Sequence, residues 1–220
     1  MSEKKIISKL HTATKRDYLA RVNKTDKALA AEKASLWGFD YWDGSRETGY
    51  GGYHYDGRWR DVAKTLYSTY CLKDRSRVLD IGSGKGFLLH DLTEENSLID
   101  VYGLDISAYA IENSMPSIKR KCTLGCASSL PWPDNYFDLI ISINTLHNLP
   151  LRKLWRALKE ISRVSRGNKF ICVEAYRSEK EKVNLMYWQL TCRAFYSPDD
   201  WLFLFEKINY DGDYEFIFFE

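Results

Sequence analysis

The chain has 220 residues, enough for one domain with a sizeable core, and at 45% hydrophobic and 28% charged it reads as globular. A net charge of +2 is too small to argue for nucleic acid or an anionic membrane as partner, and no apolar run is long enough to span a bilayer. Met1-Ser2-Glu3-Lys4-Lys5 lacks the apolar centre of a secretion signal; five cysteines without a CxxC pair indicate neither a disulfide framework nor a metal site, and the expected setting is reduced and cytoplasmic.

Ser8 to about Leu36 is rich in Ala, Lys, Leu and Glu and predicts one or two helices. Between Trp37 and Trp59, glycine and aromatics alternate too densely for helix or regular strand. Asp61–Tyr70 is helical again. From Arg77 strands alternate with helices: strand Val78–Ile81, helix Gly86–Leu92, strand Leu98–Leu104, helix Ala108–Asn113, a third strand within Lys119–Leu124, and a buried strand Phe137–Ile143. Leu154, Leu158, Ile161 and Val164 recur at helical spacing, with Gly167 placed to cap that helix. Phe170–Val173 is a short strand, Leu185–Leu190 is helical, Pro198 opens a helix behind a Ser197 cap, and Tyr214–Phe219 is a last strand. The pattern predicts an α/β, Rossmann-like, doubly wound and mostly parallel sheet with helices on both faces. It forms a single domain: an N-terminal helical and aromatic lid (1–70), a core (71–178), and C-terminal helices with the last strand (179–220).

The most informative stretch is Val78-Leu79-Asp80-Ile81-Gly82-Ser83-Gly84-Lys85-Gly86-Phe87, a strand that breaks into a glycine-rich turn. Such a turn brings bare backbone against a ligand. Asp80-x-Gly82-x-Gly84-x-Gly86 departs from the G-x-G-x-x-G of nicotinamide enzymes, since the third glycine is one residue early. It resembles motif I of the class I S-adenosylmethionine-dependent methyltransferases. Two more features carry the resemblance in the family's order: Asp105 ending Tyr102-Gly103-Leu104-Asp105-Ile106, and Leu130-Pro131-Trp132-Pro133-Asp134-Asn135-Tyr136-Phe137-Asp138, similar to the segment before the fourth strand of many small-molecule methyltransferases. Together they cover about half the chain, from Arg77 to Val173.

The resemblance implies S-adenosylmethionine as cofactor and S-adenosylhomocysteine as product. Gly82, Gly84 and Gly86 would give close backbone approach, although Gly86 is equally suited to helix packing. A carboxylate accepts from two vicinal hydroxyls at once, which suits Asp105 to the ribose. Asp80 would order the turn or face the methionine ammonium, Ile106 and Asn144 would complete the site, and Arg58 would pair with the methionine carboxylate or with an acidic acceptor. An acid common beside the adenine is replaced by Cys126-Ala127-Ser128, so Ala127 and Ser128 would take its place. Ligands of open α/β sheets sit beyond the carboxyl ends of the strands. His147 is therefore the candidate general base and Glu174 a second catalytic candidate, with Tyr176 on the acceptor side; a surface or helix-start histidine is the alternative for His147.

Trp42, Tyr50, Tyr53, Tyr55 and Trp59 would line a lid whose aromatic faces favour a sulfonium or ammonium cation, or else form a fixed strap. This segment, with the C-terminal one, is similar to an uncharacterised bacterial methyltransferase group. Asn144-Thr145-Leu146-His147 replaces the Asp/Asn-Pro-Pro-aromatic motif of nucleobase N-methyltransferases. Arg152, Lys153, Arg156, Lys159, Arg163 and Arg166 read as a solvated helix face. The expected function is in-line methyl transfer to O or N of a small-molecule acceptor without a metal, with no nucleic-acid or membrane partner and an open oligomeric state. The alternatives are a protein or RNA methyltransferase and a non-catalytic cofactor-binding scaffold. One convincing strand follows Val173 where the family commonly has an antiparallel pair, so six and seven strands both remain open.

Overall fold

The strands are β1 (Arg77–Ile81), β2 (Asp100–Asp105), β3 (Cys122–Leu124), β4 (Phe137–Ile143), β5 (Ser165–Glu174) and β6 (Asp213–Ile217). In the computed structural model, which describes residues 1–220, they form one sheet in the order β3-β2-β1-β4-β5-β6. Every neighbouring pair is parallel. The sheet has six strands and no antiparallel pair. The last strand ends at Ile217 rather than Phe219, and it reaches β5 through α9 (Glu179–Trp188) and α10 (Pro198–Lys207). Parallel strands need such crossovers, and the crossovers put helices on both faces.

The faces follow from strand alternation. Leu79, Ile81, Ile140, Ile171 and Val173 point into a core shared with Leu154, Leu158, Ile161 and Val164 of α8 (Leu151–Val164) and with Trp201 and Phe205 of α10. Val78, Leu139, Ile141, Phe170 and Cys172 point the other way, onto α5 (Arg60–Thr69) and α6 (Phe87–Glu95). Each fully buried aliphatic or aromatic side chain contributes about 1.5–3 kcal/mol over its exposed state. Ser197 caps α10 in a reciprocal box with Asp200, as expected. Gly167 caps nothing: α8 runs directly into β5, and Gly167 lies in that strand with no room for a Cβ beside the Asp138 carbonyl. Arg163 is not part of a solvated face; it donates to the carbonyls of Leu130 and Trp132 and to Asp134, fixing the loop before β4.

The N-terminal stretch forms three short helices, α1 (Ser8–Thr12), α2 (Tyr18–Lys24) and α3 (Lys27–Ala34), followed by a single turn, α4 (Phe39–Trp42), inside the glycine-aromatic segment; α7 (Ala108–Glu112) follows β2. Glu3 pairs with Tyr214 along the free edge of β6, which shields that edge. Glu215 on β6 is 1% exposed, and its carboxylate accepts the backbone N–H groups of Ile6, Ile7 and Ser8 at 2.7, 2.8 and 2.7 Å. A buried charge with three donors at a helix start is satisfied by hydrogen bonds and helix dipole together. Glu215→Ala should therefore lower the unfolding free energy by about 3 kcal/mol or more in urea titration; a loss below about 1 kcal/mol would show that the N-terminal segment is held by its apolar contacts instead.

Candidate functional site

The order β2-β1-β4 places the topological switch point between β1 and β4, where the chain leaves the sheet in opposite directions and opens a crevice. At the end of β1 the N–H groups of Gly82 and Ser83 donate to the Leu104 carbonyl at 2.7 and 3.2 Å. Gly82 has φ +82°, and a Cβ there would lie 1.8 Å from Thr145 Oγ1. Gly84 has φ +54°, and a Cβ there would lie 2.7 Å from the Trp42 ring. Both the backbone conformation and the space exclude a side chain. The carboxylate of Asp105, at the end of β2, accepts from Gly84 N–H at 2.7 Å and from Ser107 N–H at 2.8 Å. Burial raises its pKa against these bonds. Asp80 lies beneath the turn, and burial with the neighbouring Asp105 charge pushes its pKa up to about 7. Gly86 heads α6, and a Cβ there would strike Ile118, so its role is close helix packing.

A cavity of about 430 Å³ opens against this turn, within the range of small-molecule sites. Gly82, Asp105, Ile106, Ala127 and Asn144 line it. Asn144 is held at φ +53°, and its Oδ1 is buried without a partner. The residues fit S-adenosylmethionine: a bare-backbone turn for close approach, an acid with free acceptor capacity for the diol, and an orphaned acceptor for a charged donor. Two carboxyls near the turn also favour a cationic ligand. Cys126 joins the lining, whereas Ser128 does not and instead contacts the Cys126 thiol at 3.1 Å.

The aromatic segment roofs the cavity. Trp42 is buried against Gly84, donates Nε1–H to Ser107 Oγ at 2.9 Å, and stacks on Tyr50 at 5.5 Å between centroids. Tyr53 stacks on Phe87 of α6. An ion pair fastens this roof: Lys85, 4% exposed between Gly84 and Gly86, donates to both Asp43 oxygens at 2.7 Å and to the Tyr53 carbonyl at 2.9 Å. Burial alone would raise the Asp43 carboxyl, but Lys85 and Tyr109 hold it below its usual range. Losing one partner of such a pair costs about 3–5 kcal/mol, so the segment is built as a strap tied to the turn it covers.

A second cavity of about 200 Å³ lies beside the first and shares Tyr41, Tyr50, Asn144, Asn148 and Thr191 with it. Its floor holds His147 and Glu174. His147 sits in a 3-10 turn after β4 and is 2% exposed, which excludes a surface role; Glu174 ends β5. His147 Nε2 and Glu174 Oε2 approach to 3.3 Å without completing a hydrogen bond, and His147 Nδ1 has no partner. Burial drives the two apart from their ordinary values, His147 down to about 3 and Glu174 up to about 8, so both are uncharged at neutral pH. Gln189 donates to the other Glu174 oxygen, and Trp201 Nε1–H to its carbonyl.

Arg58 is not brought to the first cavity: it forks onto Asp56 and faces the second, together with Trp59, whose Nε1–H reaches Tyr53 Oη. Tyr55 lies outside both cavities, against Asp91 and His90 near α6, and Tyr176 lies outside both under Lys182. Lys85, Asp43, Ser107 and Trp188 are site residues that motif reading passes over. Lys85 alone carried a signal, a charge inside a turn that must bury.

Residues 79–173 match the family described as "Methyltransferase domain". The arginine-hydroxylase NDUFAF5 of Rattus norvegicus is 34% identical over 90 residues, 40% of this chain and 25% of that protein. The demethylmenaquinone methyltransferase of Symbiobacterium thermophilum is 27% identical over 157 residues, 66% of this chain and 60% of that protein. The chain thus spans about a quarter of the first and under two thirds of the second. Among solved structures, the YcgJ protein of Bacillus subtilis superimposes with TM-score 0.53 over 66% of each chain at 21% identity, a likeness of fold. With the glycine turn, the Asp105 acid and the parallel sheet, these matches make residues 79–173 similar to the methyltransferase domain family.

Proposed function

We propose that the protein is an S-adenosylmethionine-dependent methyltransferase acting on O or N of a small molecule held in the second cavity. The observation that carries this reading is the common wall: Tyr41, Tyr50 and Asn144 border both cavities, so a donor in one and an acceptor in the other meet across a shared boundary. The cofactor, when bound, supplies an electrophilic methyl group. The chain's contribution is orientation and exclusion of water. Gly82 and Asp105 hold the adenosine end, the orphaned Asn144 Oδ1 takes a donor near the wall, and the strap of Trp42 and Tyr50 closes the top. The demethylmenaquinone methyltransferase likeness supports a small-molecule acceptor. No helix is long and apolar enough to cross a membrane.

His147 takes the acceptor's proton at Nδ1, and Glu174 is its positioning partner. With Glu174 protonated, its O–H points a hydrogen at Nε2 and leaves the proton of the neutral imidazole on Nδ1, the wrong tautomer for a base. With Glu174 ionised, Nε2 carries the hydrogen, Nδ1 is free, and the carboxylate stabilises the imidazolium that forms. Activity should therefore rise with pH as Glu174 loses its proton, which burial delays to about 8. In Glu174→Gln the profile should be flat and low between pH 6 and 9; an unchanged rise would assign the ionisation elsewhere. His147→Ala should lower turnover by about 100-fold or more while leaving cofactor affinity within about twofold; full activity would remove it as the base.

Asp105→Asn should weaken calorimetric binding of S-adenosylmethionine by about 10-fold and Asp105→Ala by more, since charge-assisted bonds carry about 1.5–3 kcal/mol each. Unchanged affinity in both would refute the ribose assignment.

A further inference from the structure

The second cavity has an unusual charge balance. Arg16, Arg21 and Arg46 all line it, and all three guanidinium groups gather on one ring, that of Trp188, at 5.5, 4.8 and 5.2 Å from its centroid. None is paired with a carboxylate. Arg16 donates to the carbonyls of His11 and Thr14, Arg21 to those of Trp188 and Arg46, and Arg46 to that of Tyr50. The Nε of Arg16 is shielded from water and has no partner. Arg58, on the same cavity, is by contrast neutralised by Asp56.

On its other side Arg16 borders a neighbouring cavity that Glu3 and Glu220 also line, so the charge imbalance belongs to the second cavity alone. Glu174 is the one acid in the lining, and its burial keeps the proton on at neutral pH. His11 is held neutral, down to about 4, by burial and by Arg16. Burial lowers the pKa of Arg16 and of Arg21, and Arg46 lowers both further, against the opposing pull of Tyr18 and Glu174 on Arg16 and of Tyr41 on Arg21. Three like charges at the mouth of a low-dielectric cleft focus a positive potential into it. Surface arginines are usually paired or spread apart. Here the crowding comes from three separate elements: the segment before α2, α2 itself, and the strap.

We infer that the methyl acceptor is an anion, bearing a carboxylate or phosphate group that docks on Arg16, Arg21 and Arg46 over Trp188 and leaves its nucleophilic atom toward His147 and the cofactor cavity. The inference rests on the proposed function for the identity of the cavity, but not for the charge. Guanidinium forks match oxyanions bidentately. The carbonyl bonds already made leave each guanidinium partly preorganised, so little side-chain freedom is lost on binding. The cavity of about 200 Å³ sets a compact ligand or the anionic end of a longer one.

The test is calorimetric titration of the full chain at low ionic strength with benzoate, phenyl phosphate and the neutral control benzamide, with a separate titration by S-adenosylhomocysteine. The wild-type protein should bind one of the anions at least about tenfold more tightly than benzamide, and the better of the two identifies the carboxylate or phosphate source. Arg16→Gln and Arg21→Gln should each lose about tenfold in anion affinity, and Arg21→Lys should keep part of it. S-adenosylhomocysteine affinity should stay unchanged in all three, because neither arginine lines the first cavity. No anion binding by the wild-type protein, equal binding of benzamide, or unchanged anion affinity in the folded glutamine variants would overturn the inference. The anion titration needs no adenosyl ligand, so failure of S-adenosylhomocysteine to bind would count against the cofactor assignment alone.

Discussion

The bond from Gly84 N–H to the Asp105 carboxylate, 2.7 Å long and buried, is the constraint on which the rest of the site depends. It joins the turn after β1 to the end of β2, two strands that are neighbours only because the sheet is parallel and wound outward from β1. Through it the glycine turn acquires a fixed shape, and the carboxylate is oriented with acceptor capacity left for a ligand. The cost is visible in Asp80 and Asp105, two carboxyls brought together in low dielectric, whose ionisation burial opposes. A site that holds such a pair is prepared for positive charge.

What covers the turn is also covalently distant and physically local. Trp42 fills the space a side chain on Gly84 would have taken, and Lys85, within the turn, reaches out to Asp43 and the Tyr53 carbonyl. Glycine therefore does two things in one stretch: it bares the backbone on the ligand side and admits a tryptophan on the other. The N-terminal helices are in turn anchored at the far edge of the sheet, where Glu215 gathers three backbone N–H groups. The N-terminal region is thus held at two points by carboxylates, Asp43 of the strap paired with an ammonium and Glu215 with the amides at the start of α1.

The two cavities differ in electrostatic character although they share a wall. The first offers the Asp105 carboxyl and an orphaned amide oxygen, with Lys153 and Arg193 also in its lining, and the second three guanidinium groups without a carboxylate partner above an uncharged histidine and acid. His147 and Glu174 approach to 3.3 Å in the second cavity, and burial keeps both uncharged at neutral pH.

The core was legible in the sequence because its signals are local. β1, β4 and α8 announce themselves by continuous or helical apolar spacing, and Gly82, Gly84 and Asp105 lie where strand ends must put them in any parallel sheet that starts from β1. Ile106, Ala127 and Asn144 follow for the same reason. Gly167 was misleading because a glycine after a helix signals a cap only if the chain turns there, and the pairing of β5 with β4 carries it straight on. Arg58 and Ser128 could not be placed from spacing, since each found a nearer partner, Asp56 or Cys126. The convergence of Arg16, Arg21 and Arg46 on Trp188 leaves no trace in the sequence at all: the residues are up to 172 positions apart, and only the packing of α2 against α9 and of the strap against both brings their charges together. The sequence by itself determined the parallel sheet and the cofactor turn, because periodicity and backbone sterics act over a few residues. The tertiary structure alone decided the second cavity, because charge and burial depend on every element that closes around a point.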